Sequence, residues 1–488
     1  TARRTAPRAV RPSAARLGWL AILGAAGLAT VLMTMLNPDA GTGLALAERV
    51  LDGERLYVDM IETNPPLFVH LSAVPVGLAR LTGLPAIPLF QVFVFGLAIL
   101  SVVTTGRIVT RTRLLARSVP RAVFLAGLLV PLFALSRYDF AERDYLMFVF
   151  FAPYLVLAAA RAAGTDPGRP LAWTAGIAGG LGLVLKPFFL LPWLGVEAYV
   201  LFARDRRPWQ RPEILAVIAV HAVYGGLVLL LAPAYLDVLR MTLRAYSGYD
   251  TDHASILGKL FAFAPTAVAG IAAGLVPARS TPERALRRVL LVAVLVFVAI
   301  VFIQRKGFDY HYYPARAAGS WLLVLVAATT GPRLVARGTL WLQRSAATVR
   351  RFRTASAGVA LAVAAALTVE AALALGSAAS EARGFSRSTF GQLAAGLERR
   401  ARGRPVLFLS SSVWPAFPLY NYSGACWPTR WSFLWILPKY YRNAPIGADG
   451  SIYHARADMD DLERFQVDTL VDDFLRAKPE LVLVDVRE

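Results

Sequence analysis

The chain contains 488 residues, of which 56% are hydrophobic and only 17% are charged, and its mean hydropathy is +0.51. These values lie above the range of soluble globular proteins and indicate a polytopic membrane protein. The net charge of +20 does not indicate nucleic acid as a partner, because the arginines are clustered between apolar runs, where they determine membrane topology.

Apolar runs of about 17 to 22 residues, the length that crosses roughly 30 Å of hydrocarbon, recur between residues 17 and 377. The first run lacks a short apolar core followed by a small-residue cleavage site, so we expect a retained helix and not a signal peptide. The sequence predicts a polytopic α-helical membrane protein with about eleven crossings. They are expected near residues 17–36, 86–105, 119–136, 145–162, 170–185, 187–203, 213–232, 256–276, 287–304, 313–331 and 355–377.

The basic loops predict the orientation of the chain. Arginines are dense in residues 1–16 and 107–121, and loops rich in positive charge remain in the cytoplasm. Only one crossing besides the first fits between these two loops, although two apolar runs are present. The run at 67–81 is the shorter one and contains Pro75 and His70, so we predict a juxtamembrane or half-inserted helix there.

This orientation divides the chain into three parts. They are a basic cytoplasmic N-terminus at 1–16, a transmembrane domain at 17–377 with a first outer loop at 37–85, and an extracytoplasmic tail at 378–488. In the tail, "RPVLFLS" and "ELVLVDV" predict short buried strands, and "LVDDFLRAK" predicts a helix before the second strand. We therefore expect a small C-terminal α/β domain outside the membrane.

The tail also contains an aromatic stretch, "CWPTRWSFLWILPKYY", which includes Trp427, Trp431 and Trp435. Such a stretch is typical of a face that rests on the membrane, and a stacking surface for sugar rings is the alternative. Cys426 is the only cysteine in the sequence, which excludes an intrachain disulfide and a thiolate metal cluster. We expect it to be a buried or interfacial thiol.

The stretch "DGERLYVDMIETNPP", residues 52–66, concentrates carboxylates in an otherwise apolar chain. Asp52 and Glu54 flank a turn-forming glycine and are expected to be solvated loop residues. Asp59 and Glu62 are three positions apart, so a helical turn would place them on one face, directly before a Pro-Pro that opens the next helix. A general base or a divalent-metal ligand needs a carboxylate held in a set direction, which this arrangement supplies.

A second charged cluster, "SRYDFAERDYLM", includes Glu142, Arg143 and Asp144 just before a predicted span. An ion-paired helix cap is one interpretation of these charges. A second acidic group on the outer face, suited to a metal or an acceptor, is the other.

Four cationic or titratable residues are expected on the outer face: Lys186, Arg305, Lys306 and His311. Lys186 lies between two apolar stretches, where an unpaired ammonium costs several kcal/mol, so it must reach the interface or pair with an anion. The other three lie in "QRKGFDYHYYP", in which the tyrosines are ordinary interfacial anchors. The four together predict a site for a phosphate group.

These motifs resemble the GT-C superfamily of membrane glycosyltransferases, which includes protein O-mannosyltransferases and lipid A aminoarabinose transferases. The acidic first outer loop followed by Pro-Pro, the string "ERDYLM" and the string "KGFDYHYYP" carry the resemblance, which covers about residues 40 to 320. The last two strings are similar to motifs of an uncharacterised bacterial branch of the superfamily. The resemblance matches Asp59 to the catalytic base or metal-holding residue, with Glu62 close behind and able to exchange roles with it.

The resemblance implies an inverting transfer of a hexosyl or pentosyl group from a polyprenyl-phosphate donor to a glycan, lipid or protein of the cell envelope. Lys186, Arg305 and Lys306 would neutralise the donor phosphate, with His311 beside them. A divalent cation, Mg²⁺ or Mn²⁺, would be held by Asp59, Glu142 and Asp144. The protein would lie in the bacterial inner membrane with its active site on the periplasmic side.

Two other functions fit the same composition. A lipid or polyol transporter or flippase also has many helices with buried charges, but transporters usually place binding groups near the midplane and often contain paired repeats. Here the polar groups are expected at one face, and no repeat is recognisable. An inactive scaffold that keeps the fold is the third interpretation.

Overall fold

The computed structural model describes residues 14–115, 118–204, 208–278, 280–342, 348–442, 444–446 and 452–485, and the chain is mainly helical. The helices of the first half are α1 (Ala14–Met33), α2 (Pro38–Leu51), α3 (Leu67–Thr82), α4 (Ala86–Thr112), α5 (Ser118–Val130), α6 (Arg143–Ala162), α7 (Arg169–Leu183), α8 (Leu190–Ala203) and α9 (Pro212–Leu231).

The second half continues the bundle and then leaves it for the tail. Its helices are α10 (Tyr235–Ala245), α11 (His253–Phe263), α12 (Pro265–Gly274), α13 (Thr281–Gln304), α14 (Tyr313–Leu342), α15 (Thr348–Gly384), α16 (Thr389–Ala401), α17 (Ala416–Ser423), α18 (Pro438–Tyr441) and α19 (Asp461–Ala477). The strands are β1 (Val406–Leu409) and β2 (Leu481–Val484).

Six helical segments in the described part of the chain are long and apolar enough to cross a membrane: α1, α4, α6, α9, α13 and Gly358–Arg387. Helices α11 and α12 form a further apolar pair, bent by 82° where Pro265 interrupts the helical hydrogen bonds. The polytopic helical architecture is thus confirmed. The larger number of eleven crossings stays a prediction, as does the placement of 67–81 beside the membrane, where the chain forms the 16-residue helix α3.

Helix α6 is the centre of the bundle. In its apolar window 94% of the residues are buried, against 17% in α9, and helices α4, α7, α8 and α13 pack on it. Helix α7 approaches closely because it is rich in glycine: a Cβ on Gly182 would lie 2.9 Å from Cβ of Phe150. The N-terminal end of α6 is therefore held by packing on every side.

The first outer loop contains α2, a 14-residue helix that the sequence analysis did not predict. The sequence signal for α2 is Asn37-Pro38: the Asn37 side chain accepts hydrogen bonds from the N–H groups of Asp39 and Ala40, and Pro38 occupies the first turn. Helix α3 begins at Leu67, directly after the Pro-Pro, as predicted.

The predicted helical turn that would join Asp59 to Glu62 is wrong. The chain between α2 and α3 forms turns and isolated bridges, and Tyr57 adopts a positive φ of 72° that ends any helical run. The two carboxylates consequently point to different surroundings. The Asp59 side chain is 38% exposed and that of Glu62 only 8%.

The predicted strands and helix of the tail are confirmed. Strands β1 and β2 pair in parallel, with Val406 opposite Leu481, and α19 precedes β2. Strand β2 is largely exposed, however, and not buried as expected. The tail packs on the first loop, because Ile61 donates its N–H to the carbonyl of Arg430 at 2.8 Å and Asn421 bonds the carbonyl of Gly41 at 3.1 Å.

Both interpretations of the aromatic stretch in the tail are wrong. Trp427, Trp431 and Trp435 are buried, and their rings pack inside the protein. The ring centroids of Trp435 and Tyr246, for example, are 5.9 Å apart. Trp431 and Trp435 fill the space between the tail, the first loop and α10. Trp427 packs in the main core, beneath the guanidinium of Arg49. Neither a membrane nor a sugar reaches these rings. Cys426 is exposed, so the expectation of a buried thiol is wrong, while that of an interfacial thiol stays a prediction.

The tail is held by a buried carboxylate, and removing it is expected to unfold the tail selectively. Asp473 is fully buried and accepts hydrogen bonds from the backbone and guanidinium of Arg430, and from Arg476 at 2.6 Å. Asp473→Ala leaves these cations without their partner, which costs about 3–5 kcal/mol. We expect a lower thermal midpoint and faster proteolysis of the tail in purified protein.

The matched control is Asp461→Ala, because Asp461 lies in the same helix and its ion pair with Arg244 is exposed. This change should leave the thermal midpoint close to the wild-type value, because exposed ion pairs contribute little to stability. Equal destabilisation by the two substitutions would show that burial of Asp473 does not anchor the tail.

Candidate active site

Six ionisable side chains come together at the N-terminal end of α6, where the first loop and the segment before α14 meet the bundle. We call this set the polar cluster: Asp39, Glu62, Glu142, Arg143, Asp144 and Lys186. Five of the six are buried, and Asp39, with a side chain 27% exposed, is the most accessible member. Charges at such depth must be paired, so their partners define the geometry of the site.

Arg143 joins the first loop to the bundle. Its Nη2 donates to Oε1 of Glu62 at 3.0 Å, and its Nη1 lies 3.5 Å from Oδ1 of Asp39. Its guanidinium also stacks over the ring of Phe68 in α3 at 4.6 Å. Because a guanidinium binds in a fixed planar geometry, Arg143 sets the positions of both carboxylates relative to α6.

Asp39 and Glu142 form a carboxyl pair. Glu142 is the N-cap of α6 and is buried, and its side chain lies beside the carboxyl group of Asp39. Burial, reinforced by the neighbouring carboxyl group of Asp39, raises the pKa of Glu142 well above its ordinary value. Glu142 therefore favours its protonated form more than an ordinary glutamate does, and Asp39, with a side chain 27% exposed, is the more accessible member of the pair.

Lys186 finds an anionic partner inside the protein. Its ammonium forms a buried ion pair with Asp144 and lies 4.8 Å from the ring centroid of Tyr310. Burial, followed by the charges of Asp39 and Glu142, raises the pKa of Tyr310 above its ordinary value, so the phenol is neutral beside the carboxylates. The predicted need of Lys186 for an anion is confirmed, and the anion is a carboxylate of the same chain.

His311 is buried next to Tyr310, with the two ring centroids 4.5 Å apart. Burial, with the positive charges of Lys186 and Lys306, lowers the pKa of His311 well below its ordinary value. Its Nδ1 has no hydrogen-bond partner within the described ranges. His311 is thus a neutral ring whose Nδ1 remains free to bond a ligand.

Arg305 and Lys306 lie in a neighbouring group and not in the polar cluster. Lys306 pairs with Asp250 and donates to the carbonyl of Tyr246 at 2.6 Å, and Arg305 lies 3.6 Å from Asp250. The Tyr246 hydroxyl in turn hydrogen-bonds Thr63 at 3.2 Å. The loop after α10 therefore contacts the first loop next to the polar cluster. The predicted phosphate site is divided between Lys186 and this second pair of cations.

Asp59 lies apart from the polar cluster. Its carboxylate accepts hydrogen bonds from the backbone N–H of Arg55 at 2.8 Å and from Arg55 Nε at 3.2 Å. These bonds hold the pKa of Asp59 below its ordinary value. Its charge partners are Arg55, which is exposed, and Arg49 in the last turn of α2, whose side chain is 17% exposed.

The three predicted metal ligands are not brought together. The Asp59 side chain is 38% exposed, Glu142 is buried beside Asp39, and Asp144 is engaged by Lys186. Across the described ranges no group of three or more His, Cys, Asp or Glu side chains is arranged to hold a metal ion. As placed here, Asp59, Glu142 and Asp144 do not fit one divalent cation, and the divalent cation stays a prediction.

Sequence analysis did not single out Asp39. Its signal is the helix start Asn37-Pro38-Asp39, two residues beyond a long apolar run. A carboxylate at a helix N-terminus at the membrane surface was readable there. The cluster at 52–66 contains more carboxylates than the segment around Asp39 and therefore gives the stronger sequence signal.

The fold and the polar cluster define a polytopic helical membrane protein with a buried ionisable site at one end of its bundle. No protein-family model matches the chain, and no curated protein matches its sequence significantly. The structure is similar to crystal structures of ArnT from Cupriavidus metallidurans. The match to ArnT bound to undecaprenyl phosphate has a TM-score of 0.56 at 15% identity and covers 84% of each chain.

The match to apo ArnT has a TM-score of 0.52 at 14% identity and covers 84% of this chain and 85% of ArnT. These similarities confirm the fold expected from the resemblance to GT-C membrane glycosyltransferases. Within that fold, the polar cluster is the candidate active site.

Proposed function

We propose that this protein is a membrane glycosyltransferase that moves a sugar from a polyprenyl-phosphate donor to an acceptor hydroxyl. The observation that carries the proposal is the pair of a partly exposed Asp39 and a buried Glu142, which lies beside Arg143 and Lys186 at one end of the bundle. It supplies a base next to cations, which is what displacement of a phosphate leaving group needs. The ArnT-like fold, seen in ArnT with undecaprenyl phosphate bound, supports a lipid-linked donor.

In the proposed mechanism the charged carboxylate of Asp39 removes the proton of the acceptor hydroxyl. The hydroxyl oxygen then attacks the anomeric carbon, the bond from that carbon to the donor phosphate breaks, and the phosphate oxygen keeps the electron pair. Lys186 stabilises the negative charge that develops on this phosphate. One direct displacement inverts the anomeric centre.

The remaining members of the cluster position the base. Glu142 lies beside Asp39 and, when protonated, would donate a hydrogen bond that fixes the direction of that carboxylate. One oxygen of Glu62 is fully engaged, because Oε1 accepts from Arg143 at 3.0 Å and from the backbone and side chain of Asn64 at 2.9 and 2.7 Å. In this proposal Asp39 takes the role that sequence analysis gave to Asp59 or Glu62.

The second group, Arg305 and Lys306, is proposed to hold the outer part of the donor phosphate together with His311. Lys306 bonds the carbonyl of Tyr246 in the loop after α10, and the Tyr246 hydroxyl bonds Thr63 in the first loop, next to the polar cluster. We also propose that the acceptor is a glycan, lipid or protein of the cell envelope and that the site faces the periplasm of a bacterial inner membrane. The arginine-rich loops at the opposite ends of the helices support this orientation.

A transporter of lipids or polyols is the competing function. Transporters usually place their binding groups near the bilayer midplane. The polar cluster instead lies at the end of α6, at its N-cap and first turn, which favours chemistry at the membrane surface.

The experiment uses the purified protein in lipid nanodiscs with a panel of radiolabelled polyprenyl-phosphate sugars and cell-envelope extracts as acceptors. Thin-layer chromatography follows the loss of donor and the appearance of labelled product. We expect one donor to be consumed with release of polyprenyl phosphate. Movement of intact donor across the membrane without cleavage would support the transporter and contradict the proposal.

The raised pKa of Glu142 predicts a pH dependence. Because burial raises this pKa, Glu142 loses its proton at a higher pH than an ordinary glutamate, and the loss leaves a buried charge beside the Asp39 carboxyl group. We expect the transfer rate to fall on the alkaline side. Glu142→Gln keeps a hydrogen-bond donor that does not titrate, so it should stay active and lose this alkaline limb in a pH–rate profile with the same donor. If the alkaline fall in rate is unchanged in Glu142→Gln, a group other than Glu142 causes it.

A further inference from the structure

A large apolar groove lies far from the polar cluster. It has a volume of about 900 Å³ and runs between α1, α4, α5 and α7. Its walls are almost entirely aliphatic or aromatic, with Leu17, Leu20, Ile99, Val103 and Leu129 among them. Volumes of roughly 300–1,000 Å³ are typical of sites that bury a small molecule or a lipid chain.

Two guanidinium groups line one end of this groove. Arg107 and Arg111 are exposed and lie four residues apart in the last turns of α4, so they share one face of the helix. Arg111 is set against α7: a Cβ on Gly168 would lie 3.0 Å from its Nη2. Like charges at this spacing repel, and an anion between them would offset the repulsion.

No carboxylate of the described residues supplies that anion. The residues that line the groove include none. The carboxylate near Gly168 belongs to Asp166, which is engaged by Arg161 at 3.0 Å and by the Gly168 N–H at 2.9 Å. The groove is thus apolar along its length and positively charged at one end. This arrangement complements an anionic lipid, which has an apolar chain and a negatively charged headgroup.

The groove lies at the opposite end of the bundle from the candidate active site. Helix α1 begins beside the groove with Leu17 and rises about 30 Å over its 20 residues before the chain reaches Asp39. The groove is therefore not the place where a donor would meet the polar cluster. The arginines are also at the end where basic loops predict the cytoplasmic leaflet.

We propose that this groove binds an anionic phospholipid of the cytoplasmic leaflet. An acyl chain lies between α1 and α4, and the headgroup phosphate lies between Arg107 and Arg111. The lipid joins the N-terminal half of α1 to α4 and α7, so its binding stabilises the folded protein. Attraction of basic side chains at this depth to anionic headgroups is an ordinary property of membrane surfaces.

The test uses the full protein purified in a phosphatidylcholine–detergent mixture and titrated with phosphatidylglycerol. Native mass spectrometry counts bound lipid, and the thermal midpoint reports stabilisation. We expect saturable binding of phosphatidylglycerol that raises the midpoint. Arg107→Ala with Arg111→Ala should weaken this binding at least about tenfold.

Arg284→Ala with Arg288→Ala is the matched control. These two exposed arginines have the same spacing, near the N-terminal end of α13, and do not line the groove. The control should bind phosphatidylglycerol as the wild type does. Gly24→Leu fills the apolar wall, where a Cβ meets no atom within 4 Å, and should also prevent binding with both arginines intact.

Three results would overturn the proposal. The first is that the Arg107 and Arg111 variant binds phosphatidylglycerol as tightly as the wild type. The second is that the α13 control loses as much affinity, which would show that lipid binding depends only on the overall basic charge. The third is stabilisation by undecaprenyl phosphate and not by phosphatidylglycerol, which assigns the groove to another lipid class. Because every readout is binding or stability, failure here leaves the proposed transferase activity untouched.

Discussion

Replacing Asp39 by Asn is expected to lower the rate of sugar transfer by about 100- to 10,000-fold, the contribution of a general base within hydrogen-bond reach of its proton. Asp39 is the most accessible carboxylate of the polar cluster, and Arg143 and Glu142 fix its direction. The amide keeps the size of the side chain and removes its basicity. The rate is measured with the donor identified in the nanodisc assay, and the thermal midpoint checks that the protein is folded.

Asp59→Asn is the matched control, since it makes the same chemical change in the same outer loop. Asp59 pairs with Arg55 on an exposed surface, so its loss should leave both stability and transfer close to the wild type. If Asp59→Asn abolishes transfer and Asp39→Asn does not, the base lies in the outer part of the loop, as the sequence resemblance suggested. The polar cluster would then be structural.

Much of the fold was predictable because it depends on local composition. Apolar runs marked the helices, and alternation between apolar strands and an amphipathic helix marked β1, α19 and β2. The string "ERDYLM" marked the charged end of α6, and the isolated Lys186 marked a buried cation that needed an anion. In each case the signal and the structure involve neighbouring residues or an unavoidable solvation cost.

The rest depends on contacts distant in sequence. Glu62 is directed away from Asp59 because its side chain bonds to Arg143, which lies 81 residues away in the chain. The tryptophans of the tail have the composition of an interfacial belt, yet the first loop and α10 cover them. Helix α2 was missed because "GTGLALA" has too little amphipathic pattern, although its Asn-Pro start was readable.

The density of carboxylates in the sequence does not indicate which of them is the base. The stretch at 52–66 has four carboxylates, and three of them pair with nearby arginines: Asp52 with Arg80, Glu54 with Arg49, and Asp59 with Arg55. Asp39 is a lone acid at a helix start, and its importance comes from where α2 directs it. A single, partly accessible carboxylate that the fold places beside a buried acid and an arginine is a better candidate for a base than a carboxylate in a dense, solvated cluster.

Replacing Lys186 by Met is expected to have two effects that a second substitution separates. The first is destabilisation by about 3–5 kcal/mol, because Asp144 is left buried and without its partner. The second is a loss of donor affinity, because the ammonium that stabilises the leaving phosphate is gone. The double variant Lys186→Met with Asp144→Asn removes both charges together and should regain most of the lost thermal midpoint.

The double variant then decides what Lys186 does. If the ammonium contacts the donor phosphate, the refolded double variant keeps a KM for donor at least about tenfold above the wild-type value, the effect of losing one charged contact. Asp144→Asn alone should not raise it in the same way, since it leaves Lys186 free to bind phosphate. If the double variant binds donor as tightly as the wild type, Lys186 serves only to balance Asp144, and the donor phosphate must be held by Arg305, Lys306 and His311.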